Sequence, residues 1–355
     1  MKKNRLILSL VVLAALVALV VWGRERIHFD FGVFRSQLAL ADWRKIGIGV
    51  ACIYVGYIFR AVRWALLLKH NKKVPPLSLL GTQVIGFTAV ALIGRVADPV
   101  RPYLVAKKTG LPLSTQIAVY IVERLCDFGT MGLMFSAAIL IAPQGTLPHP
   151  EIVRKAGESA LVLTIVGGLF LVAVRLTGGA VATAMERAFG AVSKKLGHTV
   201  GHKIHAFHTG LDTMRTFSDF GVAAALSLSM WGLIFLAYLE TAQAFTASPQ
   251  LASMTVAKCM LLLAFSGVAS VFQLPVLGWF TQIGLVAAAL SSFFGAAPEA
   301  ATACAATLLL VTFLSIVPVG LLWAQFEHVN LRKVTVESEH AGEDLDVAEA
   351  AEPVE

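Results

Sequence analysis

Nine apolar runs, at residues 6–22, 46–68, 77–93, 112–141, 159–176, 221–245, 256–275, 279–295 and 300–325, follow one another through this chain with little polar sequence between them. A bilayer core needs roughly 20 mostly apolar residues per helical crossing, so this succession dictates a membrane-embedded fold. Of the 355 residues 57% are hydrophobic and only 14% charged, against about 25% charged in an average soluble domain. Lipid-exposed backbone must satisfy its own hydrogen bonds, which leaves helices or closed barrels. Runs of this length select helices.

The net charge of +7 conceals a division, because eight of the 22 acidic residues lie between Glu337 and Glu355. Residues 1–334 therefore hold all 29 basic residues and 14 acidic ones. Most of the basic residues flank apolar runs, where they set orientation and meet anionic headgroups; no nucleic-acid motif accompanies them. The end of the chain, VESEHAGEDLDVAEAAEPVE, has no aromatic residue. Residues 331–355 are expected to form a disordered acidic tail behind a transmembrane domain at 1–330.

The four cysteines form no CxxC pair and are read as reduced packing residues. The first run, in MKKNRLILSLVVLAALVALVVWGRE, lacks a small-x-small cleavage site and is read as a retained helix.

Between the third and fourth runs lies GRVADPVRPYLVAKKTG, residues 94–110. Its placement decides the topology. If 77–93 were one full crossing, the basic segment 177–220 would fall outside. If 77–106 enters and returns on the cytoplasmic face, fifteen connecting or terminal Lys and Arg lie inside against seven outside, five of these in 23–45. The second arrangement follows the positive-inside bias better. It makes the two termini cytoplasmic, turns 177–220 into a cytoplasmic amphipathic segment, and makes 256–275 with 279–295 a second hairpin from the opposite face. The expected fold is all-α: a polytopic helical bundle in the cell membrane with about six full spans plus two hairpins or re-entrant pairs, an arrangement that an inverted repeat would produce.

Three groups of charges fall at membrane depth, where each costs roughly 2.5–3.5 kcal/mol at a helix centre unless paired or hydrated. In AVYIVERLCDFGTM, Tyr120, Glu123, Arg124 and Asp127 share a helical face, and Arg124 can pair with Asp127. In the second group, Arg95, Asp98 and Arg101 stand among Pro99 and Pro102, which interrupt a regular helix and free backbone groups to face a cavity. Guanidinium groups grip phosphate oxygens bidentately, so Arg95 and Arg101 are candidate headgroup ligands with Asp98 orienting one of them. The third group, Arg60 and Arg63, lies near a helix end and is expected to snorkel to the interface, although Arg60 is deep enough to line a cavity.

With these residues the chain resembles the flippase-like family that includes the transmembrane region of lysylphosphatidylglycerol synthases. Gly94, Arg95, Arg101, Pro102, Tyr103 and Leu104 match that family's first motif, with Asp98 where Glu is usual and Ala97 where Gly is usual. Glu123, Arg124 and Asp127 match its E-R-x-x-D motif. Its late motif is represented by Pro275 and Gly278, with Trp279, Phe280 and Thr281 in place of small residues and Gln282 at the acidic position. The resemblance implies a lipid translocase, in which Arg95 and Arg101 hold a phosphate-bearing headgroup, Tyr103 belongs to the same motif, Glu123, Arg124 and Asp127 line the cavity, and Pro275, Gly278 and Gln282 form an opposing broken helix. It implies no lysyl transfer, since no soluble catalytic domain follows residue 330.

Two other readings stand beside it: an intramembrane enzyme acting on a lipid phosphate with Glu123 or Asp127 as base, and a non-transporting partner of a lipid-modifying or glycosyltransferase complex. No Walker A, GxSxG, HExxH or dinucleotide motif is present, so no nucleotide cofactor or hydrolase chemistry is expected. The imidazoles of His198, His202, His205 and His208 have helical spacing, but Gly197 and Gly201 weaken that helix and no carboxylate is near. An interfacial segment is expected there, and no metal.

Overall fold

The computed structural model describes residues 29–143, 145–190, 193, 216–271, 277–338 and 340–341. The first apolar run, the histidine cluster at 198–208 and Pro275 lie outside the described residues. Among those described every regular element is helical, and five helices are long and apolar enough to cross a membrane.

The elements, in chain order, are α1 (Phe31–Ala39), α2 (Trp43–Leu68), α3 (Leu80–Ile93), α4 (Val100–Thr109), α5 (Leu113–Ile141), α6 (Pro150–Gly190), α7 (Phe217–Gln243), α8 (Val256–Val271), α9 (Leu277–Phe294), α10 (Pro298–Leu309) and α11 (Ile316–Phe326). Residues 331–338 form a final helix, α12. A π-helical segment, Leu310–Leu314, joins α10 to α11.

The helix pair α2 and α7 is the spine of the bundle. Polar contacts pin both of its ends. At one end Lys69 and His70 bind Asp219, which also closes a capping box with Thr216 at the start of α7. At the other end the Asp42 N–H donates to the Ala244 carbonyl at 2.8 Å, and Lys45 donates to Gln243 at 3.2 Å. The two helices thus run antiparallel. At 26 residues, α2 is about 39 Å long, enough to cross a bilayer.

Two hairpins enter this frame from opposite ends. The arms of the first are α3 and α4, and its base is at the Lys69 end, where Lys72 donates to the Thr109 carbonyl at 2.6 Å. In the second, α8 and α9 pack together with their base at the other end, where Gln243 donates to the Met254 carbonyl at 3.0 Å. Their tips meet. Arg95 donates to the Ser270 carbonyl at 3.2 Å and hydroxyl at 2.6 Å, while Trp279 Nε1 donates to the Ala91 carbonyl at 2.8 Å. The opposed hairpins expected from basic-residue bookkeeping are therefore present as packed helix pairs.

The first tip turns at Gly94, whose φ of 95° and ψ of −170° fall where side-chain-bearing residues are strained. Its N–H still closes on the Val90 carbonyl at 2.8 Å. Here the structure corrects the sequence reading, because Pro99 and Pro102 do not break the helix. They occupy the N-cap and first turn of α4, positions where a missing N–H is no loss, and the break falls earlier, at Gly94 and the 3₁₀ turn Arg95–Ala97.

Two boundaries also differ. Helix α6 extends past the expected end at 176 to Gly190, with non-helical φ/ψ at Thr177, so the start of the expected cytoplasmic segment belongs to a long kinked helix. The acidic tail was expected from 331, yet α12 packs on the first hairpin. Val334 is buried in an apolar cluster with Ile85, Val90, Val100 and Leu104, and Tyr103 donates to Glu337 at 3.1 Å. A composition-based reading missed this because Leu331 and Val334 lie one turn apart, a short apolar stripe in a charged segment. Val334→Asp is expected to undock α12, since a carboxylate buried without a partner costs several kcal/mol. Hydrogen exchange should show protection lost at 331–338 and retained in α2 and α7; unchanged protection would refute the docking.

Candidate functional site

Six charged side chains from three helices converge inside the bundle. Helix α2 supplies Arg60 and Arg63, α4 supplies Arg101, and α5 supplies Glu123, Arg124 and Asp127. Each placement follows from helical spacing: Arg60 and Arg63 are one turn apart, as are Arg124 and Asp127, so each pair projects from one side of its helix. Arg101 starts near the beginning of the short return helix, which brings it back beside α3.

Glu123 is the hub. Its Oε2 accepts from Arg101 at 2.7 Å, and its Oε1 accepts from Arg63 at 2.8 Å, Arg101 at 2.9 Å and Arg124 at 3.1 Å. Arg60 stands 3.5 Å from the same oxygen. Asp127 Oδ1 accepts from Arg63 at 2.6 Å and from Trp231 at 3.2 Å, while its Oδ2 is 2.9 Å from Arg124. Ser227 completes the Arg63 contacts at 2.7 Å.

Arg101 is the most enclosed member. It is 0% exposed, and Gln83 Oε1 accepts from its Nε at 3.2 Å and Nη2 at 3.0 Å. The Phe87 ring lies 4.3 Å from the guanidinium carbon, with Trp64 and Tyr120 at 5.1 and 5.7 Å. Such aromatic faces stabilise a desolvated cation without neutralising it. The backbone leaves no slack: a Cβ on Gly86 would overlap the Arg101 side chain.

The structure brings together Arg101, Glu123, Arg124 and Asp127 from the sequence-derived candidates, and adds Arg60 and Arg63. Snorkelling is the sequence expectation for both, with a cavity position open to Arg60 alone. Instead Arg63 is buried, with 1% of its side chain exposed, and Arg60 has 12% exposed; both carboxylates they face belong to α5, a helix that spacing within α2 could not reveal. Gln83, Phe87 and Trp231 were missed for the same reason. The usable signal was Arg63 beside Trp64 in a helix whose buried positions include Gly56, Tyr57 and Ala61.

Other anticipated residues sit elsewhere. Arg95 and Asp98 pair with each other at 3.7 Å on the first hairpin tip; the Arg101 N–H donates to the Asp98 carbonyl at 3.4 Å, but among the described residues no hydrogen bond or ion pair joins the Asp98 carboxylate to the Arg101 guanidinium. Tyr103 meets α12. Gly278 is buried near the start of α9, and Gln282 is buried with its amide 3.5 Å from Ser266. It thus belongs to a polar group of the second hairpin with Tyr238, whose hydroxyl lies 2.7 Å from Ser266. Among the described residues no cluster of three or more His, Cys, Asp or Glu suits a metal ion, and all four cysteines are free thiols.

Helices that span, two opposed hairpins and a buried arginine–carboxylate cluster define a polytopic membrane protein with a polar interior site. Residues 6–320 match the family described as the lysylphosphatidylglycerol synthase TM region, and the chain belongs to that family. No curated protein and no solved structure matches it. Membership supports a lipid-related membrane role.

Proposed function

We propose that this protein is a lipid translocase that takes a phosphate-bearing headgroup into the bundle between its two hairpins while the acyl tails remain in the bilayer. The observation that carries the reading is the charge count of the cluster: four guanidiniums stand against two carboxylates. Burying ions is expensive, and a buried salt bridge replaced by well-packed apolar residues often leaves a protein as stable or more so. Stability therefore does not explain six such groups, whereas an anionic ligand does.

The hairpins supply the movement. Each enters from its own end of the α2–α7 spine, and their tips are joined by a few hydrogen bonds involving Arg95, Ser270, Trp279 and Ala91. Breaking these contacts would open the bundle toward one face at a time, as in transporters built from broken helices. Arg95 and Asp98 act at that gate, while Arg101, Arg60, Arg63 and Arg124 hold the anion. Both carboxylates are ion-paired with guanidinium groups, which favours transport over an intramembrane enzyme that would use one of them as a base. The end bearing Lys69, Lys72 and Lys108 faces the cytoplasm by the positive-inside bias.

The test is purified protein in liposomes carrying fluorescent lipids of several headgroups, scored by the label that a membrane-impermeant quencher reaches over time. Acceleration of at least one phosphate-bearing lipid over protein-free vesicles is expected. No acceleration with any anionic lipid would overturn the reading.

A further inference from the structure

The cluster has a charge and a donor inventory that narrow its ligand further, an argument that rests on the translocase reading of the same site. Among the described residues the four arginines exceed the two carboxylates by two positive charges, and the next carboxylate outward, Asp98, is already paired with Arg95 at 3.7 Å. Among the described residues no other acidic side chain forms an ion pair with the four. Every carboxylate oxygen of Glu123 and Asp127 has a guanidinium nitrogen within 2.9 Å. Four donors remain unmet, Arg101 Nη1, Arg63 Nε, Arg124 Nε and Gln83 Nε2, against one acceptor, Asp127 Oδ2, which has Arg124 at ion-pair distance but no hydrogen bond. Gln83 cannot simply be turned to cure this, because its oxygen already accepts twice from Arg101.

Unmet buried donors call for an acceptor-only group. A surplus of two calls for a charge of minus two, since any remainder stays desolvated. We infer that the site is selective for a dianionic phosphate, a phosphomonoester or diphosphate headgroup, over a singly charged phosphodiester or a zwitterion. A monoester carries two negative charges and three free oxygens above its second pKa of about 6; a diester keeps one charge and two free oxygens. Three terminal oxygens suit donors arranged on Arg101, Arg63 and Gln83, and planar guanidiniums bind such oxygens in pairs. Arg124, 26% exposed, and Arg60 stand at the rim and complete the neutralisation.

The experiment is titration of the purified full chain at pH 8 with short-chain phosphatidic acid, phosphatidylglycerol and phosphatidylcholine, read as the shift in thermal unfolding midpoint, with inorganic phosphate as a fourth arm. Phosphatidic acid should bind about tenfold or more tightly than phosphatidylglycerol, and phosphatidylcholine weakest. Arg60→Gln lowers the surplus to one and should shrink the monoester preference to about twofold; Arg124→Gln makes the same change if the first variant does not fold. Equal binding of monoester and diester, or an unaltered preference in the charge variants, overturns the inference while leaving translocation standing. Monoester preference without lipid flux upholds the inference and overturns translocation. Inorganic phosphate binding as tightly as phosphatidic acid upholds the dianion site and overturns a lipid as its occupant.

Discussion

Glu123→Gln is expected to be the most destabilising single substitution in the bundle. Glu123 faces four guanidiniums, three of them within 3.1 Å; neutralising it leaves Asp127 alone against four cations, of which Arg63 and Arg101 are buried. Breaking a buried pair by removing one partner typically costs about 3–5 kcal/mol, because the other charge is stranded. That is a large share of a marginal stability, so the variant should accumulate poorly and unfold at a lower temperature in detergent. The electrostatic origin can be separated from lost packing. Glu123→Gln raises the cationic surplus from two to three, and adding Arg101→Ala returns it to two. The double variant should therefore be more stable than Glu123→Gln, with a favourable coupling of about 0.5–3 kcal/mol in a double-mutant cycle. Wild-type stability in the single variant, or simple additivity in the double, would show that Glu123 is not the hub.

The helical class was legible because it needs only local information: run length and composition decide it. The opposed hairpins came from the placement of basic residues, and Lys69, Lys72 and Thr109 do share one end as that bias required. The site was half legible. Glu123, Arg124 and Asp127 declared themselves by spacing within α5, and Arg101 by its motif, whereas Arg63 and Gln83 join through contacts 60 and 18 residues away in sequence. An arginine near the end of an apolar helix reads the same whether it snorkels or turns inward, and only tertiary packing decides. Composition misled at α12 for a related reason, since Val334 is one apolar residue among charges until the hairpin beneath it is known.

Arg101→Ala is expected to stop headgroup movement while leaving the bundle folded. The two outcomes separate because Glu123 has other guanidinium partners and the ligand loses a donor that nothing replaces. Without Arg101, Glu123 Oε1 keeps Arg63 at 2.8 Å and Arg124 at 3.1 Å although its Oε2 loses the Arg101 contact, and the surplus falls from two to one, so the carboxylate is not left without a counter-charge. The ligand loses more: Arg101 Nη1 is one of the unpartnered buried donors, and the side chain links Gln83 to Glu123. Truncating one partner of a desolvated charge contact costs about 2–5 kcal/mol, which is roughly a 30-fold or greater loss of flux. Arg101→Lys keeps the charge but replaces the planar fork with a point charge, which cannot reproduce the paired geometry at Gln83 and Glu123. It should fall between wild type and alanine. Flux measured beside thermal unfolding decides the matter: wild-type flux in a folded Arg101→Ala protein would remove this cluster from the lipid's path, and equal failure of the lysine and alanine variants would show that geometry, more than charge, is what Arg101 supplies.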